Sequence, residues 1–202
     1  MSFAIPPYIY DHAPTLLKKL YDDAADTDKG QEQFVAGPSG CAYMYHSMYP
    51  PEKLDAHMEL LNDYMEKTDT HVVAIIDHET FDRADVWDKY TKQPQVTGLI
   101  YLEYHIHSTH KGKMYFSNGK PVVSCADMLW ADLTDDDEVV QRVNTGSTDI
   151  TSPEAYSLIY VHAWSKYMDD VAKMVSKFNE NVRVVNPEQF MELITKNVKG
   201  QT

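Results

Sequence analysis

At 202 residues the chain is long enough for one sizeable core and short for two, and 43% apolar with 11% aromatic residues is a globular composition. A formal charge of −13, from 18 Lys and Arg against 31 Asp and Glu, argues against nucleic acid, because few cations are present to release phosphate counterions. No run approaches the roughly 20 apolar residues of a membrane span, and Met1-Ser2-Phe3-Ala4-Ile5-Pro6-Pro7 lacks the basic and apolar regions of a signal peptide, which leaves the compartment open.

Apolar runs of strand length alternate with helix-period segments almost end to end, the pattern of βα units around a largely parallel sheet in one domain. Asp11 is suited to cap a helix that has Pro14 in its first turn and runs to about residue 25, with Leu16, Leu17, Leu20 and Tyr21 facing inward. A strand over residues 33 to 36 then feeds the loop Gly37-Pro38-Ser39-Gly40-Cys41-Ala42-Tyr43-Met44-Tyr45-His46-Ser47-Met48-Tyr49-Pro50. A strand, then such a loop, then a helix is how α/β proteins present ligand-contacting groups at the carboxyl end of a sheet. Gly37, Ser39 and Gly40 would shape the loop, and Tyr43 and Tyr45 suit a sugar, whose apolar face stacks on a ring while its hydroxyls bond the phenol. The competing reading is a plain turn with tyrosines covering a core.

Residues 51 to 67 form the next predicted helix, since Leu54, Met58, Leu61 and Met65 repeat at helical spacing as core filler. The run His71-Val72-Val73-Ala74-Ile75-Ile76-Asp77 reads as a buried parallel strand that delivers Asp77 to its carboxyl end. A helix over 80 to 92 and a strand from 96 to about 107 follow, then a hairpin of 114 to 116 and 121 to 123 closed by Asn118-Gly119. The run Asp132, Asp135, Asp136, Asp137, Glu138 reads as a solvated loop rim, because it lacks the spacing and glycine of an EF-hand loop. The tail predicts a strand over 157 to 162, a helix over 166 to 178, a strand over 182 to 185, and a helix with Asn186 as cap and Pro187 at its first position. Cys41 and Cys125 offer neither CxxC spacing nor a disulfide framework, and no cofactor is implied.

Phe34-Val35-Ala36-Gly37-Pro38-Ser39-Gly40, the tyrosine loop, Asn118-Gly119-Lys120-Pro121-Val122-Val123 and Tyr156-Ser157-Leu158-Ile159-Tyr160-Val161-His162-Ala163-Trp164-Ser165 carry a family resemblance. It extends through Asp169-Asp170-Val171 and Val182-Arg183-Val184-Val185-Asn186-Pro187-Glu188-Gln189-Phe190. Over most of its length, in order, the chain resembles the glycoside hydrolase domain named for its GxGYxYP motif. The resemblance implies an irregular or incomplete (β/α)-barrel-like domain, a carbohydrate ligand, a glycan hydrolase if active, and export of many relatives. The element His162-Ala163-Trp164 with its following helix also resembles, more briefly, the last unit of polysaccharide-deacetylase-like barrels.

Two departures stand out. In the name motif the second glycine is Ala42, where a left-handed conformation would cost a steric penalty, and the final proline is His46. The family's Ser-Asp-Gly-Asp-Asn segment, expected before the region where this chain begins, is absent, which points to a fragment or a shortened relative lacking the first barrel strands. Bare sheet edges would then favour a homo-oligomer or a subunit role, unless Phe3, Ile5, Tyr8 and Ile9 fold back as a surrogate strand.

Glycosidases use two carboxyl groups across the scissile bond. Asp77 and Glu103 are the candidates, with a helix cap and a solvent-facing strand position as their competing roles; His162, beside the sugar-contacting candidate Trp164, is the third acid/base candidate. His105 and His107 would share a strand face and a loop could bring His110 round for a metal, but the neighbouring Lys111, Gly112 and Lys113 favour a histidine-rich surface loop, and no metal is expected. The leading function is a GxGYxYP-type glycan hydrolase; the alternative is an inactive shortened relative acting as a binding or assembly subunit.

Overall fold

The computed structural model describes residues 2–24, 32–103 and 110–198. In chain order the first elements are β1 (Ser2–Ile5), α1 (Ile9–His12), α2 (Pro14–Asp23), β2 (Gln33–Ala36), α3 (Pro51–Lys67), β3 (Val72–Asp77), α4 (Ala84–Thr91) and β4 (Gly98–Glu103). They are followed by β5 (Met114–Ser117), β6 (Lys120–Ser124), β7 (Asp127–Leu129), α5 (Asp136–Asn144), β8 (Ile159–Val161), α6 (Met168–Val175) and α7 (Pro187–Asn197). A six-stranded sheet runs β1-β2-β3-β4-β6-β5, parallel except for the β5–β6 hairpin, and β7 and β8 make a separate parallel pair. The result is a mixed α/β, irregular barrel-like fold without closure of the sheet among the described residues.

The sheet is buried on both faces, which is why its central strands are almost uninterruptedly apolar. Val73 and Ile75 of β3, with Leu99 and Tyr101 of β4, pack against Leu54, Met58, Leu61 and Met65 of α3 and Val86, Trp87 and Tyr90 of α4. The alternate residues Val72, Ala74 and Ile100 pack on the other face against Met191 and Ile194 of α7. Because β3 and β4 pair in parallel with Asp77 opposite Glu103, both carboxylates continue the parity of Val73 and Ile75 and point to the α3/α4 face.

Several sequence expectations meet tertiary structure differently. The hairpin turns at Asn118 (φ 51°) and Gly119 (φ 76°), the two left-handed positions an Asn-Gly turn supplies. The N-terminal segment is itself a strand of the sheet, since Ser2–Ile5 pairs in parallel with β2 along its full length. Asp11 is not a cap; Ala13 holds the cap position before α2, and Asp11 accepts a hydrogen bond from Tyr64 at 2.6 Å. The acidic run is no loop rim, because Asp135 caps α5 by accepting the Asp137 amide, with Asp136, Asp137 and Glu138 in the first turn, where the helix dipole favours anions. Residues 182 to 185 form no strand: Val184 is 57% exposed, and with no neighbouring edge to bond, β propensity alone cannot order the segment. Asn186 and Pro187 start α7 as the sequence indicates.

Gly37 shows how tightly β2 leaves the sheet. A Cβ there would lie 2.7 Å from the Ala74 carbonyl oxygen, a backbone atom that cannot step aside, whereas one at Gly98 meets the thioether of Met191 at 2.5 Å. Gly37→Ala is therefore expected to destabilise the protein by about 2 kcal/mol, as overpacking does, and Gly98→Ala by clearly less, since Met191 can change rotamer. Urea unfolding midpoints of the two variants at equal m-value check the order.

Candidate functional site

The loop between β2 and α3 is fastened from below by Ser39. This residue takes the left-handed conformation (φ 65°), is fully buried, and its hydroxyl both donates to the Ile76 carbonyl and accepts from the Ile76 amide, each at 2.9 Å. Its own amide donates to the Ala74 carbonyl at 2.7 Å, so Ser39 prolongs the short β2–β3 ladder. Gly40 is buried, and a Cβ there would stand 2.6 Å from both His57 Nε2 and Met44 Sδ, so those side chains would have to shift. The steric penalty anticipated at Ala42 does not arise, because the left-handed residue in this loop is Ser39.

Asp77, at the end of β3, ties the loop from above. Its Oδ1 accepts from the Ser47 hydroxyl at 2.5 Å and the His78 amide at 2.7 Å; its Oδ2 accepts from the Ser47 amide at 2.9 Å and faces His46 Nε2 at 2.8 Å. His46 Nε2, set against a carboxylate, carries its hydrogen, and it also lies 3.0 Å from Thr80 Oγ1. Asp77 and the His46 side chain are fully buried. Burial alone would raise the Asp77 carboxyl, but the hydrogen bonds from His46 and Ser47 together outweigh it and hold the group down at about 2. Asp77 is thus an ionised carboxylate whose lone pairs are committed to holding two loops, and proton exchange with a ligand is foreign to that geometry.

Above this anchor Tyr43 and Tyr45 meet edge to face with ring centroids 5.7 Å apart and hydroxyls 3.2 Å apart, and Tyr45 lies over His78 at 4.7 Å. Tyr43 is 59% exposed. Glu103, which the sequence offers as a solvent-facing position in its competing role, is buried: Phe81 N donates to its Oε1 at 3.1 Å, and its Oε2 is hydrogen-bonded to His110 Nδ1. His110 Nε2 lies 2.8 Å from Asp82 Oδ2, and Tyr115 donates to Asp82 Oδ1 at 2.9 Å. His105 and His107 lie outside the described residues, and among the described residues no group of His, Cys, Asp or Glu is arranged to hold a metal.

His162 stands apart from Asp77. It stacks on Trp130 at 3.8 Å with an interplanar angle of 8°, its Nδ1 lies 2.8 Å from Ser165 Oγ, and Trp164 flanks it at 5.7 Å. Trp130 packs with Ile76, Leu102 and Met128, on the face of the sheet opposite Asp77 and Glu103 but at the same carboxyl end. The candidates that the sequence places on one rim therefore divide into two clusters, separated by the strands themselves. Both cysteines are buried, which pushes the Cys41 thiol up to about 11 and the Cys125 thiol up to about 12, so neither is a thiolate nucleophile at neutral pH.

Sequence reading did not place His46, His78 or Asp82 in the candidate site, and it weighed His110 only as a metal ligand. The substitution of the motif proline by His46 was the available signal for one; the others depend on which loops meet.

A family model described as GxGYxYP putative glycoside hydrolase C-terminal domain matches residues 1–195. The chain belongs to the GxGYxYP family. It is also similar to a crystal structure described as a putative hydrolase from Bacteroides thetaiotaomicron, at 30% identity and a TM-score of 0.89. That similarity covers 98% of this chain and 39% of the other, so the chain spans well under half the length of this neighbour. No curated protein matches significantly.

The Asp77 anchor makes stability pH-dependent with a definite sign. The unfolded carboxyl takes up its proton near 3.8 and the folded one only at about 2, so the stabilisation is complete above pH 4 and is lost as pH falls toward 2. It amounts to about 2 kcal/mol at full strength. Chemical denaturation between pH 2 and 5 is expected to show this loss in the parent and a flatter profile in Asp77→Asn.

Proposed function

We propose that this chain supplies the carboxyl-end, sugar-facing part of a glycan hydrolase. The observation that carries the reading is the presence of solvent-exposed aromatic rings at the carboxyl ends of the parallel strands: Tyr43 paired with Tyr45, and Trp164, 87% exposed, beside the Trp130–His162 stack. Rings held in water by a rigid scaffold suit the apolar faces of pyranoses, and in α/β folds this end of the sheet is where ligands gather. Membership of a family described in glycoside-hydrolase terms supports the reaction class, and fold alone would not.

Within this reading the residues divide their work. Gly37, Ser39 and Gly40 set the loop, Tyr43, Tyr45 and Trp164 contact sugar, and Asp77 keeps the tyrosine loop in place through the Ser47 amide and hydroxyl and the His46 ring. Glu103 enters acid–base chemistry through its imidazole partner, and His162, half-buried on Trp130, presents the second imidazole at the rim.

Two measurements test the proposal. Release of reducing ends from a panel of polysaccharides and nitrophenyl glycosides is expected for at least one substrate, and a complete blank across the panel would sink the enzymatic reading. On the substrate found, Trp164→Ala is expected to raise KM about tenfold, the loss of roughly one stacking contact, with folding unchanged because the ring is exposed.

A further inference from the structure

One nitrogen of His57 is buried without a partner, and it lies against the tyrosine loop. His57 stands on α3, and its Nε2 is shut off from water with no hydrogen-bond partner among the described residues. Gly40 leaves the ring its place, since a Cβ on that residue would stand 2.6 Å from Nε2. Met44 Sδ lies at the same 2.6 Å from that point, and the Tyr49 ring meets the imidazole at 4.9 Å. Three residues of the loop, Gly40, Met44 and Tyr49, thus gather round one ring.

A neutral imidazole fits this place and an imidazolium does not. With its hydrogen on Nδ1 the neutral ring leaves Nε2 a bare acceptor, whereas the imidazolium puts a charge and an N–H at Nε2 with nothing to receive them. Burial alone, with no charged group among its causes, holds the His57 imidazole below its ordinary range. The titratable groups on the elements packed there offer the cation no counter-charge. Cys41 is a thiol that burial pushes up to about 11, Tyr49 is a phenol, Lys53 one turn earlier on α3 carries an ammonium, and the Asp77 carboxylate is filled by His46, Ser47 and His78.

The loop is tied at Ser39 and again at His46 and Ser47. Between those ties its backbone bonds are long, from Met44 N to the Pro38 carbonyl at 3.4 Å and from Tyr8 N to the Cys41 carbonyl at 3.2 Å. We propose that His57 is the positioning residue of the tyrosine loop, and that protonation of its ring releases residues 40–45, Tyr43 and Tyr45 among them, while the ties at Ser39 and Asp77 hold. The closed loop takes up the proton less readily than the open one, so closure is complete above about pH 6.5 and weakens as pH falls below it. Asp77 stays ionised down to about 2, so mild acid loosens the display of the tyrosines without dissolving its anchor. This response belongs to the loop itself, whether or not the chain hydrolyses a glycan.

The test follows ring and loop in the full chain. NMR titration of the His57 ring is expected to give a midpoint below about 6.5. Hydrogen exchange at the amides of residues 40–45, corrected for the intrinsic rate, is expected to rise about tenfold between pH 6.5 and pH 5, as uptake of one proton on opening requires, while the amides of Leu99 and Tyr101 within β4 stay protected. His57→Gln, which takes up no proton, is expected to make loop exchange independent of pH over that interval whatever its level. His57→Phe, an aromatic without a titratable nitrogen, gives the same reading should the glutamine variant fail to fold. A ring midpoint at or above about 6.5, parent loop exchange that does not change with pH, or an equal rise in the variant overturns the proposal.

Discussion

Everything at the carboxyl end of this sheet hangs on the carboxylate of Asp77. A buried anion is tolerated only when its lone pairs are filled, and here the filling comes from residues 46, 47 and 78, which belong to the loops on either side of β3. The consequence is reciprocal: the charge is admissible because the loops close on it, and the loops take one conformation because the charge must be satisfied. Ser39 performs the same service one layer lower with a neutral hydroxyl. Tyr43 and Tyr45 are thus displayed by a loop fixed at both its floor and its roof, although its residues form almost no regular structure. Preorganisation of this kind is what a ligand-facing loop requires, because ordering it on binding would subtract from affinity.

Strand parity explains why the two carboxylates most visible in the sequence are interior groups. Asp77 and Glu103 are register partners on parallel strands, so their side chains share the face covered by α3 and α4. Neither could be charged there alone. Each has recruited a histidine from a loop, His46 for Asp77 and His110 for Glu103, and the two solutions differ in what lies beyond the ring. Beyond His46 stands the buried Tyr90 hydroxyl, 3.4 Å from Nδ1, which closes the network inside the core. Beyond His110 stands an exposed aspartate, which leaves that network open to water. One histidine finishes a structural lock, and the other connects the interior to the rim.

The parts of the fold legible in the sequence are those decided by local chemistry. Asn186 and Pro187 start α7, Asn118-Gly119 turns the hairpin, and the alternating four- and three-residue spacing of Leu54, Met58, Leu61 and Met65 marks α3, all of which follow from backbone preferences and periodicity. The segment 182 to 185 shows the limit, since four strand-forming residues remain irregular where the sheet offers no edge. The acidic run shows another, because carboxylates that read as a solvated rim lie at a helix start, where Asp136 and Asp137 also pair with Lys166 and Lys177 from distant positions. For the site, strand ends were readable and partners were not. Asp77, Glu103 and the tyrosines could be named from a strand-then-loop pattern, but His46, Asp82 and His110 acquire meaning only when three loops meet.

The division of the rim by the sheet bears on how a glycan would lie. Ile76 and Leu102 point away from Asp77 and Glu103, and over them pack Trp130 and Tyr160, carrying the His162 and Trp164 cluster on the second face. The tyrosine loop and the Glu103–His110–Asp82 array stand on the first. A single sugar ring resting on one cluster would leave the other empty, whereas an oligosaccharide laid across the strand ends would meet a ring on each side. Under the proposed function this geometry favours a polymer over a small glycoside, since binding energy from the remote aromatic cluster can then be spent on positioning a bond near the tyrosine loop. The two faces cannot both be used by anything shorter than the sheet is thick, and under that proposal the separation of the two clusters would select for substrate length.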